Sequence, residues 1–197
     1  MVSDAYILGF DTSAAHCAAA LLCGPRVVAM RSEQMTRGQA ERLMPLLQEV
    51  LAEAGITWRD LGRIGVGVGP GNFTGIRIGV SAARGLALAL EIPAIGVSGF
   101  DAISLGAQMP HVAAIPAPRD QMYVQAPDGT QSLVEAADAA AMGVPLRYLP
   151  QPRELACRIA RLAAGAAPGT APVPLYLRAA DAAPARDAPP VMLDERG

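Results

Sequence analysis

Cysteine is scarce in this chain, and the little there is suits neither stapling nor coordination. Cys17, Cys23 and Cys157 are widely spaced and form no Cys-x-x-Cys pair. That argues against a disulfide framework or a zinc site and fits reduced thiols used for packing. His16 and His111 lie too far apart in sequence to make a helical metal-binding pair, so no metal site is expected. Charge is also sparse: 17% of the 197 residues, with 16 basic and 18 acidic side chains leaving a net charge of −2. No overall positive field therefore draws the chain to a nucleic-acid backbone or an anionic membrane, and any RNA would be held by something else. No basic segment precedes an apolar stretch at Met1-Val2-Ser3-Asp4, and no apolar run approaches the roughly 20 residues of a membrane span, which makes the cytoplasm the expected location.

Apolar residues are plentiful, at 52%, enough for a well-filled core in one large domain or two small ones. The most informative stretch is Gly65-Val66-Gly67-Val68-Gly69-Pro70-Gly71-Asn72-Phe73-Thr74-Gly75-Ile76-Arg77, a glycine-dense turn between an apolar strand and a long apolar helix. With almost no side chains, such a loop offers its backbone to whatever lies opposite. Two readings stay open: a helix N-terminus cradling a phosphate, or a tight turn packing helix on strand without a ligand. The Gly-Lys-Ser/Thr ending of a Walker loop is missing.

Along the chain, Tyr6 to Phe10, Cys17 to Leu22 and Arg26 to Met30 read as a three-stranded meander. Leu43, Leu47, Val50, Leu51 and Ala54 recur at three- and four-residue intervals and predict an amphipathic helix from Gln39 to Ala54, with Pro45 opening or kinking it. Strands at Ile64 to Val68 and Ala94 to Val97 flank a second helix from Gly75 to Leu90. The order β-β-β-α-β-α-β is that of a mostly parallel three-layer α/β unit. Beyond it come shorter elements: strands at His111 to Ile115 and Met122 to Gln125, and helices at Asp101 to Gln108, Val134 to Met142 and Arg153 to Ala164. The expected organisation is an α/β domain over residues 1–98, a reduced second α/β domain over 99–170, and a proline-rich segment over 171–197. In that segment only Val173 to Leu177 looks able to pair as a strand, and the final dozen residues read as a mobile tail.

The second helix carries a ridge of small residues, Gly75, Gly79, Ala83 and Ala87, spaced by four, while Ile76, Ile78, Val80, Leu86, Leu88 and Leu90 leave little of its circumference polar. It reads either as a core helix or as one whose outer face another chain covers.

Ile7-Leu8-Gly9-Phe10-Asp11-Thr12-Ser13, Gly69-Pro70-Gly71-Asn72-Phe73-Thr74-Gly75-Ile76-Arg77-Ile78-Gly79, Gly85-Leu86-Ala87 and Ile95-Gly96-Val97-Ser98 together resemble the TsaB (YeaZ) family. The resemblance runs from about Tyr6 to Ile103 and returns at Pro174-Leu175-Tyr176-Leu177-Arg178. It implies an actin-like ATPase (ribonuclease H-like) fold of two related α/β domains with the second reduced. It also implies an accessory, non-catalytic role in forming N6-threonylcarbamoyladenosine at position 37 of tRNA. The partners implied are the catalytic paralogue TsaD in a heterodimer, the ATPase TsaE, and a second copy of the chain, with tRNA reached only indirectly. No cofactor is implied for the chain itself, and ADP or ATP at the subunit boundary is left open. The expected interface comprises Leu43, Leu47, Val50, Gly75, Ile76, Gly79, Val80, Ala83 and Ala87. The residues expected to face a phosphate or nucleotide are Asp11, Thr12, Ser13, Gly69, Gly71, Asn72 and Thr74, and no residue is expected to be catalytic.

Two departures stand out. The family's His-Thr or His-Ser ahead of the first helix is Gln39-Ala40, and its acidic second-domain pattern is Ile115-Pro116-Ala117-Pro118-Arg119-Asp120-Gln121-Met122-Tyr123, in which the family's Asp and Glu are Pro116 and Gln121. A scaffold tolerates such losses, whereas the alternative reading, an actin-like small-molecule kinase, would not. Asp11-Thr12-Ser13 also reads as a plain turn, Asn72 and Thr74 as helix caps, Trp58 as a packing anchor, and Arg77 with Arg84 as a solvated edge or as partners for another protein's carboxylates.

Overall fold

The computed structural model describes residues 5–107 and 109–177. The chain opens with β1 (Tyr6–Asp11), β2 (His16–Cys23) and β3 (Arg26–Gln34), an antiparallel meander. α1 (Gln39–Glu53) follows, then β4 (Leu61–Gly67), α2 (Phe73–Leu90) and β5 (Ala94–Val97), which extend the sheet in parallel. The five strands lie in the order β3-β2-β1-β4-β5. The element order expected for this half is the one observed. Pro45 lies inside α1 rather than at its start.

The alternation of side chains along a strand decides what covers each face. Leu8 and Phe10 of β1 and Cys17, Ala19 and Leu21 of β2 point into one core, with Leu43, Leu46, Leu47 and Val50 of α1 and Ile76, Val80 and Ala83 of α2. The opposite face is small: an added Cβ at Gly9 would lie 2.5 Å from the Ala156 carbonyl oxygen, and at Gly65 2.8 Å from the Ala163 Cβ. Those neighbours belong to a helix from much later in the chain, Pro152–Gly165, which lies against Gly9, Gly65, Ala18 and Ala20 through Ala156, Ala160 and Ala163. Small residues on both partners let helix and sheet approach closely.

Between the two come α3 (Gly99–Ser104), β6 (Val112–Ala117), β7 (Gln121–Gln125), β8 (Gln131–Glu135), α4 (Ala136–Ala140) and β9 (Leu146–Tyr148), and the late helix is α5. The second sheet has the order β8-β7-β6-β9. Ala113 and Ile115 face Phe100 and Ile103 of α3, whereas Val112 and Ala114 face Ala139 of α4.

Three expectations change here. Val134 and Glu135 end a strand instead of starting a helix, and β9 was not foreseen. α5, expected within the second domain, covers the first sheet, so the chain returns to its first lobe after the second sheet is built. Val173 to Leu177 forms no strand: Pro172 and Pro174 have no N–H to donate, and one backbone bond, Leu175 N–H to the Val68 carbonyl at 2.8 Å, ties the segment down. The rest of the proline-rich segment, with the expected tail, lies outside the described residues.

Candidate functional site: a closed glycine loop, a cleft and two helix faces

At the end of β1, Asp11 is 2% exposed; its Oδ1 accepts the Ser13 N–H at 3.0 Å and the Ser13 hydroxyl at 2.9 Å, and shares a hydrogen bond with His16 Nε2 at 2.8 Å. The Ser13 contacts make the Asx turn anticipated for a β1–β2 hairpin. Ser13 and His16 converge on one oxygen, so Ser, His and Asp form a satisfied buried cluster rather than a nucleophile–base–orienter relay. The other Asp11 oxygen fills the space where a side chain on Gly67 would stand.

The glycine loop closes onto this turn. Asn72 N–H donates to the Ser13 carbonyl at 2.7 Å, and the Thr12 hydroxyl donates to the Gly75 carbonyl at 2.7 Å. A Cβ on Gly71 would collide with the Ser13 carbonyl oxygen, and one on Gly75 with that of Thr12. The bare backbone that suggested a phosphate cradle is thus occupied by the chain's own backbone. Gly69, at φ +95°, accepts the Gly99 N–H at 2.8 Å and so joins the loop to the second lobe. Asn72 is the N-cap of α2, its Oδ1 accepting the Gly75 N–H at 2.8 Å, while Thr74 is exposed within the first turn.

Between the lobes lies a cleft of about 640 Å³. Ser13, Gly71 and Asn72 form part of one wall, Ile115, Pro116, Pro118 and Tyr123 another, and Leu175, Tyr176 and Leu177 its edge. None of its described lining residues is charged. Such a lining suits apolar or aromatic groups and gives no counter-charge to a polyphosphate. Pro116, one of the two positions where the second-domain pattern loses an acid, is itself in the wall. Gln121, the other, bonds Glu135 at 2.9 Å and leaves its Oε1 buried without a partner among the described residues. At the rim Phe73 and Tyr176 stack with centroids 4.8 Å apart, Arg77 lies 3.9 Å over the Phe73 ring, and its Nε donates to the Tyr176 hydroxyl at 3.1 Å. Sequence reasoning left Phe73 and Tyr176 unassigned, since no spacing rule joins residues so far apart in the chain.

The expected interface residues sit elsewhere than on a surface. Leu43, Leu47, Val50, Gly75, Ile76, Gly79, Val80 and Ala83 are buried in the chain's own core, and Ala87 is half-buried against it. The small ridge faces the sheet, where a Cβ on Gly79 would stand 2.7 Å from the Thr12 hydroxyl. These positions are corrected from interface to core: the ridge admits a close approach, but of the home strands. α2 is also long and apolar enough to cross a membrane by length and composition, with mean hydropathy 1.3, contrary to expectation, although its buried stripe packs on β4. Outward on α1 stand Met44, 38% exposed, with the polar Glu41, Gln48 and Glu53, and outward on α2 stand Leu88, 84% exposed, with Thr74, Arg77, Ser81 and Arg84. Trp58 is half-buried against the core as an anchor, behind a Thr57–Asp60 capping box whose hydrogen bonds hold the Asp60 carboxyl below the usual range.

The family model described as "TsaD: tRNA N6-adenosine threonylcarbamoyltransferase" matches residues 31–172. The chain is 40% identical over 101 residues to the Escherichia coli K12 tRNA threonylcarbamoyladenosine biosynthesis protein TsaB, covering 51% of this chain and 43% of that protein. To the Haemophilus influenzae TsaB it is 34% identical over 122 residues, covering 59% and 51%. It thus spans about half the length of the curated relatives it matches. The solved structure of YeaZ from Pseudomonas aeruginosa superposes with a TM-score of 0.68 at 27% identity, over 88% of this chain and all of that one. These matches have one consequence: the chain belongs to the TsaB/YeaZ family and has its actin-like ATPase (ribonuclease H-like) fold.

Proposed function

We propose that this chain is a non-catalytic, partner-holding subunit in the formation of N6-threonylcarbamoyladenosine at position 37 of tRNA. In this reading it acts in the cytoplasm by binding a catalytic TsaD-type protein through the outward sides of α1 and α2. The observation that carries the reading is the seating of Gly71 and Gly75 on the carbonyls of Ser13 and Thr12, with the Asp11 carboxylate committed to Ser13 and His16. Groups that would handle phosphate in an actin-like kinase instead hold the first lobe rigid. Rigidity suits a docking surface, because little side-chain and loop freedom is lost on association. Against the kinase alternative stand the uncharged cleft and the loss of the second-lobe acids to Pro116 and Gln121. With a net charge of −2, tRNA is reached through the partner. TsaE and a second copy of the chain are further partners consistent with the same role.

The test is co-expression with the TsaD-type protein of the same genome, comparing the natural chain with the double variant Met44→Asp, Leu88→Asp. Both side chains are outward, so the thermal midpoint of the free chain stays put while co-elution is lost. A complex that survives the double substitution refutes the helix-face assignment. Threonylcarbamoyl transfer by the chain alone would refute the non-catalytic role.

A further inference from the structure

We propose that Arg77, held in place beforehand, and Arg84 form a receptor for two carboxylates presented by the protein partner. This rests on the reading of the chain as a partner-binding subunit and names the chemistry of the contact. The two arginines lie on α2 and, with Val80, Ser81 and Pro174, line an open groove of about 430 Å³ that has no acidic residue in its described wall. Four other arginines have acidic partners: Arg31 and Arg42 bond glutamates across β3 and α1, and Arg158 and Arg161 share Glu154. Neither Arg77 nor Arg84 has a carboxylate partner among the described residues, although both are exposed.

Arg77 is nonetheless held in place. Its guanidinium stacks over Phe73 at 3.9 Å and its Nε is spent on the Tyr176 hydroxyl, which leaves the terminal nitrogens to point a planar fork outward. Fixing the side chain before binding removes much of the ordering cost that makes ordinary surface ion pairs weak. Seven residues of helix separate the two Cα atoms by about 10.5 Å along the axis. A matching partner presents two acids about two helical turns apart, or three residues apart on an extended strand. Beside them on α2, Leu88 stands 84% exposed. Arginine is enriched at protein interfaces, and Leu88 adds apolar area beside the pair. A nucleic-acid track needs a longer line of cations than two, and the rest of the chain, at net −2, does not supply one.

The probe is the purified TsaD-type protein of the same genome, titrated against the full chain at low and high sodium chloride. Arg84→Glu and Arg77→Glu should each weaken binding by about tenfold or more at low salt, with the loss shrinking as salt rises. Arg84→Lys, which keeps the charge but not the fork, should lie between. The free-chain thermal midpoint should move little for Arg84→Glu, and a compensating Lys for an acid on the partner should restore the complex. Unchanged affinity in both reversals, while Leu88→Asp abolishes binding, overturns the carboxylate receptor and leaves the subunit reading intact. If the natural chain binds no TsaD-type protein at all, both fall. If the reversals leave that affinity alone but abolish a gel shift with unmodified tRNA, the occupant is a phosphate backbone and the proposal is overturned.

Discussion

Adding one methyl group at Gly75 tests whether the glycine loop is closed by its own chain. Gly75 is in the first turn of α2, where helix propensity alone favours Gly→Ala by about 0.5–1 kcal/mol. Tertiary packing pushes the other way. The new Cβ would fall well inside the contact distance of the Thr12 carbonyl oxygen, and this is backbone, pinned at the edge of the Asp11 turn. Restoring an ordinary separation of about 3.5 Å needs a shift of about 1 Å or more between α2 and β1. Overpacking of this kind costs roughly 1–3 kcal/mol, so the net effect of Gly75→Ala is a loss of about 1–2 kcal/mol, or roughly 2–8 °C in thermal midpoint for a chain of this size. Gly85 is the internal control. It lies on the same helix, with nothing within 4 Å of the position an added Cβ would take and no positive φ, so Gly85→Ala should raise the midpoint by roughly 1–4 °C. Circular dichroism melts and urea titrations of both variants suffice. If Gly75→Ala stabilises as Gly85→Ala does, the loop does not rest on Thr12, and the argument that its glycines serve packing rather than a phosphate is wrong.

Arg63 reaches from β4 to the carbonyls that end α5, bonding Ala163 at 2.6 Å and Ala164 at 3.2 Å, with Ala166 as a third acceptor. Arg63→Met should therefore cost about 1–3 kcal/mol in urea denaturation, and a change within error would show that α5 is held by its alanine face alone. Burial pushes the Cys17 thiol up to about 11, with Glu33 adding to the effect, and burial likewise raises Cys157. At pH 8 the native chain should leave both unmodified by a thiol reagent, and both should react once urea unfolds it; rapid native labelling at Cys17, read by mass spectrometry, would contradict its burial. Hydrogen bonds from Arg42 hold the Glu33 and Glu49 carboxyls below the usual range of about 4.5. A depressed folded pKa stabilises above the unfolded value and is lost as pH falls through the folded one. The midpoint gap between the natural chain and Arg42→Met should thus be widest near neutrality, shrink below about pH 4.5 and narrow in high salt, and a gap independent of pH would show that Arg42 acts by packing alone.

Local pattern determined much of this protein. The three- and four-residue recurrence of Leu43, Leu47 and Val50 requires a helix with one apolar face, and the short apolar runs separated by turn residues require the β1-β2-β3 meander, because both periods are properties of the backbone itself. The turn at Asp11 and the Asn72 cap were likewise legible, since each closes within a few residues. Sequence spacing could not say what lies opposite an element, because that is decided by contacts between distant residues. The ridge Gly75, Gly79 and Ala83 reads the same whether a foreign helix or the home sheet comes close, and only the fold shows Thr12 there. α5 reads as part of the second lobe by position, yet the small residues Gly9, Gly65, Ala18 and Ala20 leave a shallow face on the first sheet that its alanines fill. The Phe73–Tyr176–Arg77 cluster joins chain segments about a hundred residues apart, and tertiary folding alone brings its aromatic faces and guanidinium within reach.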